Sequence, residues 1–141
     1  MNAQAFEDSP PFQPMGGGTP RVLLVEDEAL IALTLKLMLE LDMGLEVVGP
    51  IARLDEAIEA ARTEELDLAL LDVAIIGGDV YPVANILQER NIPIIFHTGH
   101  GLKEELESYY SRAEVYPKPT SDAVLQEAMS RMLSGPSAGT S

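Results

Sequence analysis

The sequence predicts an α/β fold in which a five-stranded parallel sheet is covered by helices on both faces. Five short apolar runs alternate along the chain with five stretches whose apolar residues recur at helical spacing. The central runs are apolar at consecutive positions, which is typical of strands buried on both faces of a parallel sheet. With 141 residues, of which 46% are hydrophobic, the chain can build one domain with a substantial core.

The predicted elements follow one another at the short intervals that repeated β/α units require. The predicted strands span residues 21–25, 45–49, 66–71, 92–97 and 113–116. The predicted helices span residues 28–42, 54–63, 80–90, 101–110 and 121–133. Helical spacing is seen in the first helix at Leu30, Leu33, Thr34, Leu37 and Leu41. The stripe on the last helix, which we expect to pack in the core, consists of Leu125, Ala128, Met129 and Met132.

The two ends of the chain differ in composition from the rest. Residues 1–20 contain four prolines and a run of three glycines, and residues 135–141 are small, polar and rich in helix breakers. Segments of this composition cannot bury enough apolar surface to order themselves. We therefore predict a flexible leader over residues 1–20, a folded domain over residues 21–134 and a flexible tail over residues 135–141.

Charge and composition exclude several classes of function. The net charge of −14 disfavours a surface that holds nucleic-acid phosphates through many Lys and Arg contacts. No apolar run approaches the ~20 residues of a membrane span, and the N-terminus lacks the pattern of a signal peptide. The absence of cysteine removes disulfides and thiolate metal sites. We expect a cytoplasmic protein that binds neither nucleic acid nor membrane.

Polar residues interrupt the apolar pattern where the predicted strands end. Ligands of open α/β sheets bind outside the carboxyl ends of the strands, so these side chains should converge on one pocket. The residues concerned are Glu26, Asp27, Asp72, Thr98 and Lys118. The three carboxylates suit Mg²⁺, and a lone carboxylate such as Asp72 can act as a nucleophile that forms an aspartyl phosphate. Lys118 and Thr98 would then contact phosphoryl oxygens.

Four motifs in this chain resemble, in order and spacing, those of the receiver domain of two-component response regulators. They are "VLLVEDEAL", "LALLDVAI", "IIFHTGHG" and "VYPKP". The resemblance implies a flavodoxin-like (βα)5 fold with strand order 2-1-3-4-5. It also implies that Asp72 is the phosphoacceptor, that Glu26 and Asp27 form the acidic pair holding Mg²⁺, and that the main-chain carbonyl of Ala74 completes the metal ligands.

The same resemblance assigns the remaining site residues. Thr98 corresponds to the switch hydroxyl and Lys118 to the lysine that contacts the phosphoryl group, while Pro119 would follow a cis peptide bond. Most receivers carry an aromatic residue three positions before the lysine, where this chain has Val115. We therefore predict that switching depends on Thr98 and on the loop of Gly99, His100 and Gly101, without rotation of a buried ring.

"FHTGHG" is similar to the "FATGY" signature of a receiver subgroup common in alphaproteobacteria, some members of which act in general stress signalling. His97 and His100 replace the Ala and Tyr of that signature. We expect His97 to be a hydrogen-bonded core histidine. His100, in a glycine-flanked loop, could instead tune hydrolysis of the phosphoryl group. The third acidic residue, Glu28, is expected to be a solvated residue of the first helical turn.

These features predict a stand-alone receiver that is a signalling protein rather than an enzyme. A histidine kinase or a histidine phosphotransfer protein would supply the phosphoryl group, and the output would be contact with another protein or onward phosphotransfer. Two alternatives are a pseudo-receiver that binds without phosphorylation and an aspartyl-phosphate hydrolase. The hydrolase is disfavoured because its second aspartate would stand at Ala74. The sequence leaves the oligomeric state open, a homodimer included.

Overall fold

The computed structural model describes residues 18–99 and 103–134 as alternating strands and helices. The strands are β1 (Arg21–Val25), β2 (Glu46–Ile51), β3 (Leu68–Leu71), β4 (Ile94–Thr98) and β5 (Ala113–Pro117). The helices are α1 (Ala29–Leu37), α2 (Leu54–Thr63), α3 (Tyr81–Glu89), α4 (Lys103–Tyr109) and α5 (Asp122–Ser134). Nearly all of the predicted leader, the whole predicted tail and His100 lie outside the described residues.

The five strands form one parallel sheet in the order β2-β1-β3-β4-β5, which confirms the predicted flavodoxin-like fold. Val25 at the end of β1 lies beside Leu71 at the end of β3, so Glu26 and Asp72 leave the sheet next to each other. Thr98 at the end of β4 lies beside Pro117 of β5. This register places the residues that follow β1, β3 and β5 at one edge of the sheet.

Two cores lie on opposite faces of this sheet. One core joins the sheet to α2, α3 and α4 and includes Val25, Leu71 and Phe96. The other joins the sheet to α1 and α5 and contains the predicted stripe residues Leu125, Ala128 and Met129, with Met132 partly buried against it. Because both faces are covered, the central strands are apolar at consecutive positions.

Three local features differ from the predicted elements. After Leu37 the first helix widens into a π-helical turn over Met38–Asp42. The edge strand β2 extends through a cis Gly49–Pro50 bond to Ile51, because an edge strand tolerates a proline that cannot donate a hydrogen bond. A short antiparallel hairpin pairs Ala74–Ile75 with Gly78–Asp79 directly after β3, and its turn uses positive φ at Gly77 and Gly78.

In the ranges that the structure describes, no helix is both long and apolar enough to cross a membrane.

Candidate phosphoacceptor site

The three acidic residues predicted to bind a metal lie together at the carboxyl edge of the sheet. Glu26, Asp27 and Asp72 each offer a carboxylate oxygen, and these oxygens all lie within 4.8 Å of one another. Backbone bonds hold them there, because the N–H of Glu26 donates to the carbonyl of Ile51 and that of Asp72 to the carbonyl of Val25, both at 2.9 Å. The cluster is therefore built by strand register rather than by a mobile loop.

Lys118 brings a cation into this acidic cluster. Its Nζ lies 2.7 Å from Oδ2 of Asp72 and 2.9 Å from Oε1 of Glu26. The three side chains are only 17%, 10% and 1% exposed, respectively, so water screens these ion pairs weakly. Lys118 comes directly after β5, and its backbone N–H donates a hydrogen bond to the carbonyl of Thr98 at 2.9 Å. Its peptide bond to Pro119 is cis.

Burial and ion pairing compete in setting the protonation of this cluster. Burial raises the pKa of Glu26, and its hydrogen bond with Lys118 opposes that rise. For Lys118, burial acts to lower the pKa, but its hydrogen bonds to Asp72 and Glu26 act in the other direction and the net pKa is raised. The lysine therefore stays charged, which is the state that a phosphoryl oxygen would require.

The third acidic residue and the hairpin shape the rim of the site. Glu28 is exposed, as expected for a solvated residue before α1, and its backbone N–H donates to Oε2 of Glu26 at 3.1 Å. Asp27 is half-buried and so can reach both solvent and the cluster. The N–H of Ala74 lies 3.4 Å from Oδ1 of Asp72, which places the start of the hairpin beside the phosphoacceptor candidate.

Of the predicted switch residues that the structure describes, Thr98 and Gly99 lie at the carboxyl end of β4 and Val115 lies in the middle of β5. Thr98 is buried at the carboxyl end of β4, whereas Gly99 is exposed and has space for a Cβ atom. Val115 is buried beside Phe96 in the α2, α3 and α4 core.

Tyr110, a residue outside the predicted site, packs against Phe96. The ring of Tyr110 is centred 5.5 Å from that of Phe96, and its hydroxyl donates to Oδ1 of Asn85 at 2.8 Å. Tyr110 is 2% exposed. The ring that packs against Phe96 is thus anchored to α3.

His97 was predicted to be a hydrogen-bonded core histidine, and only the first half of that prediction agrees with the structure. Its side chain is buried, but among the described residues neither ring nitrogen has a hydrogen-bond partner. Burial lowers the pKa of His97, and the neighbouring charge of Lys118 lowers it further. The sequence pattern showed an interrupted apolar strand, but it carried no signal about the missing partners.

A cleft of about 450 Å³ opens beside the acidic cluster. Its walls are formed by α1, including Leu30 and Leu35, and by the segment from Lys118 to Thr120, with His97 between them. The lining is largely apolar, which contrasts with the charged cluster that Lys118 faces on its other side.

The chain is similar in sequence to parts of longer curated proteins. Over 119 residues the chain is 33% identical to protein-glutamate methylesterase/protein-glutamine glutaminase 1 of Cereibacter sphaeroides, covering 79% of this chain and 32% of that protein. The chain spans only 27% to 42% of the length of the first curated relatives that it matches.

Two solved receiver structures have the same fold. The non-phosphorylated HemR receiver domain from Leptospira biflexa is 30% identical, with a TM-score of 0.73 over 83% of this chain and 96% of that one. The receiver domain of a sensor histidine kinase from Pseudomonas aeruginosa, whose active-site cleft holds a magnesium ion, is 24% identical, with a TM-score of 0.72 over 84% of this chain and all of that one. The sequence model of the response regulator receiver domain matches residues 22–130, and the chain therefore belongs to the response regulator receiver family.

Proposed function

We propose that this receiver accepts a phosphoryl group on Asp72 in a Mg²⁺-dependent reaction and signals through altered protein contacts or onward phosphotransfer. The donor would be a histidine kinase or a histidine phosphotransfer protein. The observation that carries the proposal is the position of Lys118, whose ammonium group lies against Asp72 inside a cluster of three carboxylates. Such a cation can neutralise charge that develops on a phosphoryl group at Asp72.

The chemistry requires a carboxylate oxygen as the nucleophile. An oxygen of Asp72 attacks phosphorus, a new P–O bond forms, and the bond between phosphorus and the donor atom breaks with its electron pair leaving on the donor. Lys118 already lies at hydrogen-bond distance from Oδ2, so it can transfer a hydrogen bond to an oxygen of the incoming group. Thr98, buried at the end of the neighbouring strand, is the hydroxyl that we assign to the switch.

The donor set fits Mg²⁺. Hard carboxylate oxygens of Glu26, Asp27 and Asp72 lie close enough together to share one ion, and Mg²⁺ is usually held by one or two carboxylates with waters and a phosphate. We assign the main-chain carbonyl of Ala74 as a further ligand. When bound, the ion would offset the repulsion between the carboxylates and polarise the phosphoryl oxygens.

The two alternatives predict different chemistry at these positions. An aspartyl-phosphate hydrolase would usually carry a second aspartate two positions after the nucleophile, but that residue is Ala74, which has only a methyl side chain. A pseudo-receiver would keep the fold without a working nucleophile and cation. The close pairing of Asp72 with Lys118 favours a site that can be phosphorylated.

Phosphorylation can be tested by intact-mass measurement after incubation with Mg²⁺ and acetyl phosphate. We expect the wild-type protein to gain one phosphoryl group that hydroxylamine removes, as it does from acyl phosphates. Asp72→Asn should gain none, whereas Asp79→Asn, which removes an exposed carboxylate of the adjacent hairpin, should label as wild type does. A pseudo-receiver would remain unlabelled. Full labelling of Asp72→Asn, or phosphate on a serine or threonine, would refute the assignment.

A further inference from the structure

The outer face of α1 and its terminal turn carries leucines that the fold leaves in solvent. Leu30, Leu33, Leu37 and Leu41 are 77%, 51%, 43% and 75% exposed. Leu30, Leu33 and Leu37 are spaced three and four residues apart, which places them on one face of α1 in the pattern of a helix seam that packs against another helix, and Leu41 follows them in the π-helical turn. The inner face of the same segment, with Leu35, Met38 and Leu39, already fills the core between α1 and the sheet. We call the four exposed leucines the α1 stripe.

We propose that a second copy of this chain covers the α1 stripe, so that two receivers associate through antiparallel α1 helices. The stripe is nearly symmetric about its midpoint. When two copies pack in opposite directions, Leu30 of one faces Leu41 of the other, and Leu33 faces Leu37. A surface that matches itself in this way is what a twofold dimer requires.

The size of the α1 stripe fits a weak dimer. At these exposures the four leucines present on the order of 400 Å² of apolar surface, within the roughly 300–600 Å² of the largest patch on a typical monomer. Two stripes facing each other remove on the order of 800 Å² from water, and flanking atoms bring the total toward the ~1,200 Å² at the lower end of stable interfaces. Association should therefore depend on protein concentration.

Charge also favours this face. The chain carries a net charge of −14, so two copies repel each other over most of their surfaces. Along α1 and its terminal turn the ionisable residues are Lys36, Glu40 and Asp42; Lys36 pairs with Glu40 at 3.0 Å, and Asp42 accepts a hydrogen bond from Gln126 of α5. Because Lys36 and Glu40 offset each other and only the charge of Asp42 remains on this segment, added salt should screen the repulsion between two copies and strengthen the dimer. An interface held by complementary charges would respond to salt in the opposite way.

The α1 stripe is continuous with the cleft beside Lys118. Leu30 belongs to both surfaces, and Ile31 and Thr34 of α1 also line the cleft. A second copy packed on the stripe would cover the α1 side of that cleft. Dimerisation would thus restrict one approach to the acidic cluster without contacting the carboxylates themselves.

Sedimentation velocity from about 1 μM to about 500 μM protein, a range that brackets weak interfaces, tests the proposal. We expect wild type to shift from monomer to dimer, and to do so at lower concentration when salt rises. The double substitution Leu33→Glu and Leu37→Glu should weaken association by at least about 100-fold, because it places carboxylates inside an apolar seam. Both positions are partly exposed, and thermal melting monitored by circular dichroism will verify that the variant is folded.

Ile76→Glu is the matched control, because Ile76 is 48% exposed and bridges to Arg53 beside α2, away from α1. This variant should dimerise as wild type does. Hydrogen exchange at high and low concentration should show protection confined to residues 29–42. A wild type that is monomeric throughout would overturn the proposal and leave the α1 stripe to a different protein. A dimer that persists in the Leu33→Glu, Leu37→Glu variant, or one that Ile76→Glu breaks, would overturn it equally.

Discussion

Replacing Lys118 by methionine keeps an apolar stem of similar length but removes the cation from the acidic cluster. In wild type the lysine pairs with Glu26 and Asp72, whose side chains are 1% and 10% exposed. Without it, carboxylate oxygens no more than 4.8 Å apart repel by at least roughly 3.5 kcal/mol at an effective dielectric of ~20. Removing one partner of a buried ion pair ordinarily lowers the free energy of unfolding by about 3–5 kcal/mol. We expect the free energy of unfolding at pH 7 to fall by about 3 kcal/mol.

Urea denaturation without divalent ions measures this loss, and Lys36→Met is its control. Lys36 also pairs with a glutamate, at 3.0 Å from Glu40, but both side chains are about one third exposed. Its removal should cost no more than about 0.5 kcal/mol. The deficit of Lys118→Met should shrink as the pH falls, because burial raises the pKa of Glu26 and protonation of this carboxylate removes the repulsion. Adding Mg²⁺ should recover part of the loss.

The result that would refute this reasoning is a loss below about 1 kcal/mol, or one equal to that of Lys36→Met. Either outcome would mean that solvent already screens the cluster, and the electrostatic account of the site would fail.

Three further predictions concern the metal, His97 and the switch. Mg²⁺ at ten times its Kd should stabilise wild type by about 1.4 kcal/mol in thermal melting; Asp27→Ala should abolish the response and Glu28→Ala should retain it. Because burial lowers the pKa of His97, the unfolded chain binds the extra proton first, so stability should fall as the pH drops below the usual imidazole value of about 6.5. His97→Leu should flatten that slope in urea titrations, and an unchanged slope would contradict the prediction. Hydrogen exchange with and without beryllofluoride should change most over residues 98–110, and the change should disappear in Thr98→Ala; a change restricted to the metal ligands would exclude this mechanism.

The fold and the convergence of the acidic cluster could be predicted because both depend on patterns that are local in sequence. Alternation of apolar runs with helical spacing identifies β/α units, and parallel strands bring their carboxyl ends to one edge. Glu26 and Asp72 could thus be placed together although they lie 46 positions apart in the sequence. Their adjacency follows from the pairing of Val25 with Leu71.

Other features depend on contacts between distant elements, which no local pattern encodes. The spacing of Leu33 and Leu37 predicts a helix, but it does not say which face turns inward, and here a second set of apolar residues fills the core instead. The hairpin after β3 is too short to produce a periodic signal, and its turn depends on Gly77 and Gly78. Within residues 18–99 and 103–134 the ring of His97 has no hydrogen-bond partner, and this depends on its neighbours rather than on its own position in the sequence.

The hydrogen bond between Tyr110 and Asn85 joins the end of α4 to α3. The hydroxyl of Tyr110, directly after α4, reaches α3 at 2.8 Å, and Oε2 of Glu107 in α4 accepts the backbone N–H of Val115 at 3.1 Å. A relative shift of α3 and α4 by about 1 Å would break a bond of this length. A movement of α4 that begins near Thr98 would therefore either break this hydrogen bond or carry α3 along with α4. In the second case the surface remodelled by the switch would be wider than α4 alone and would include the helix that follows the hairpin beside Asp72.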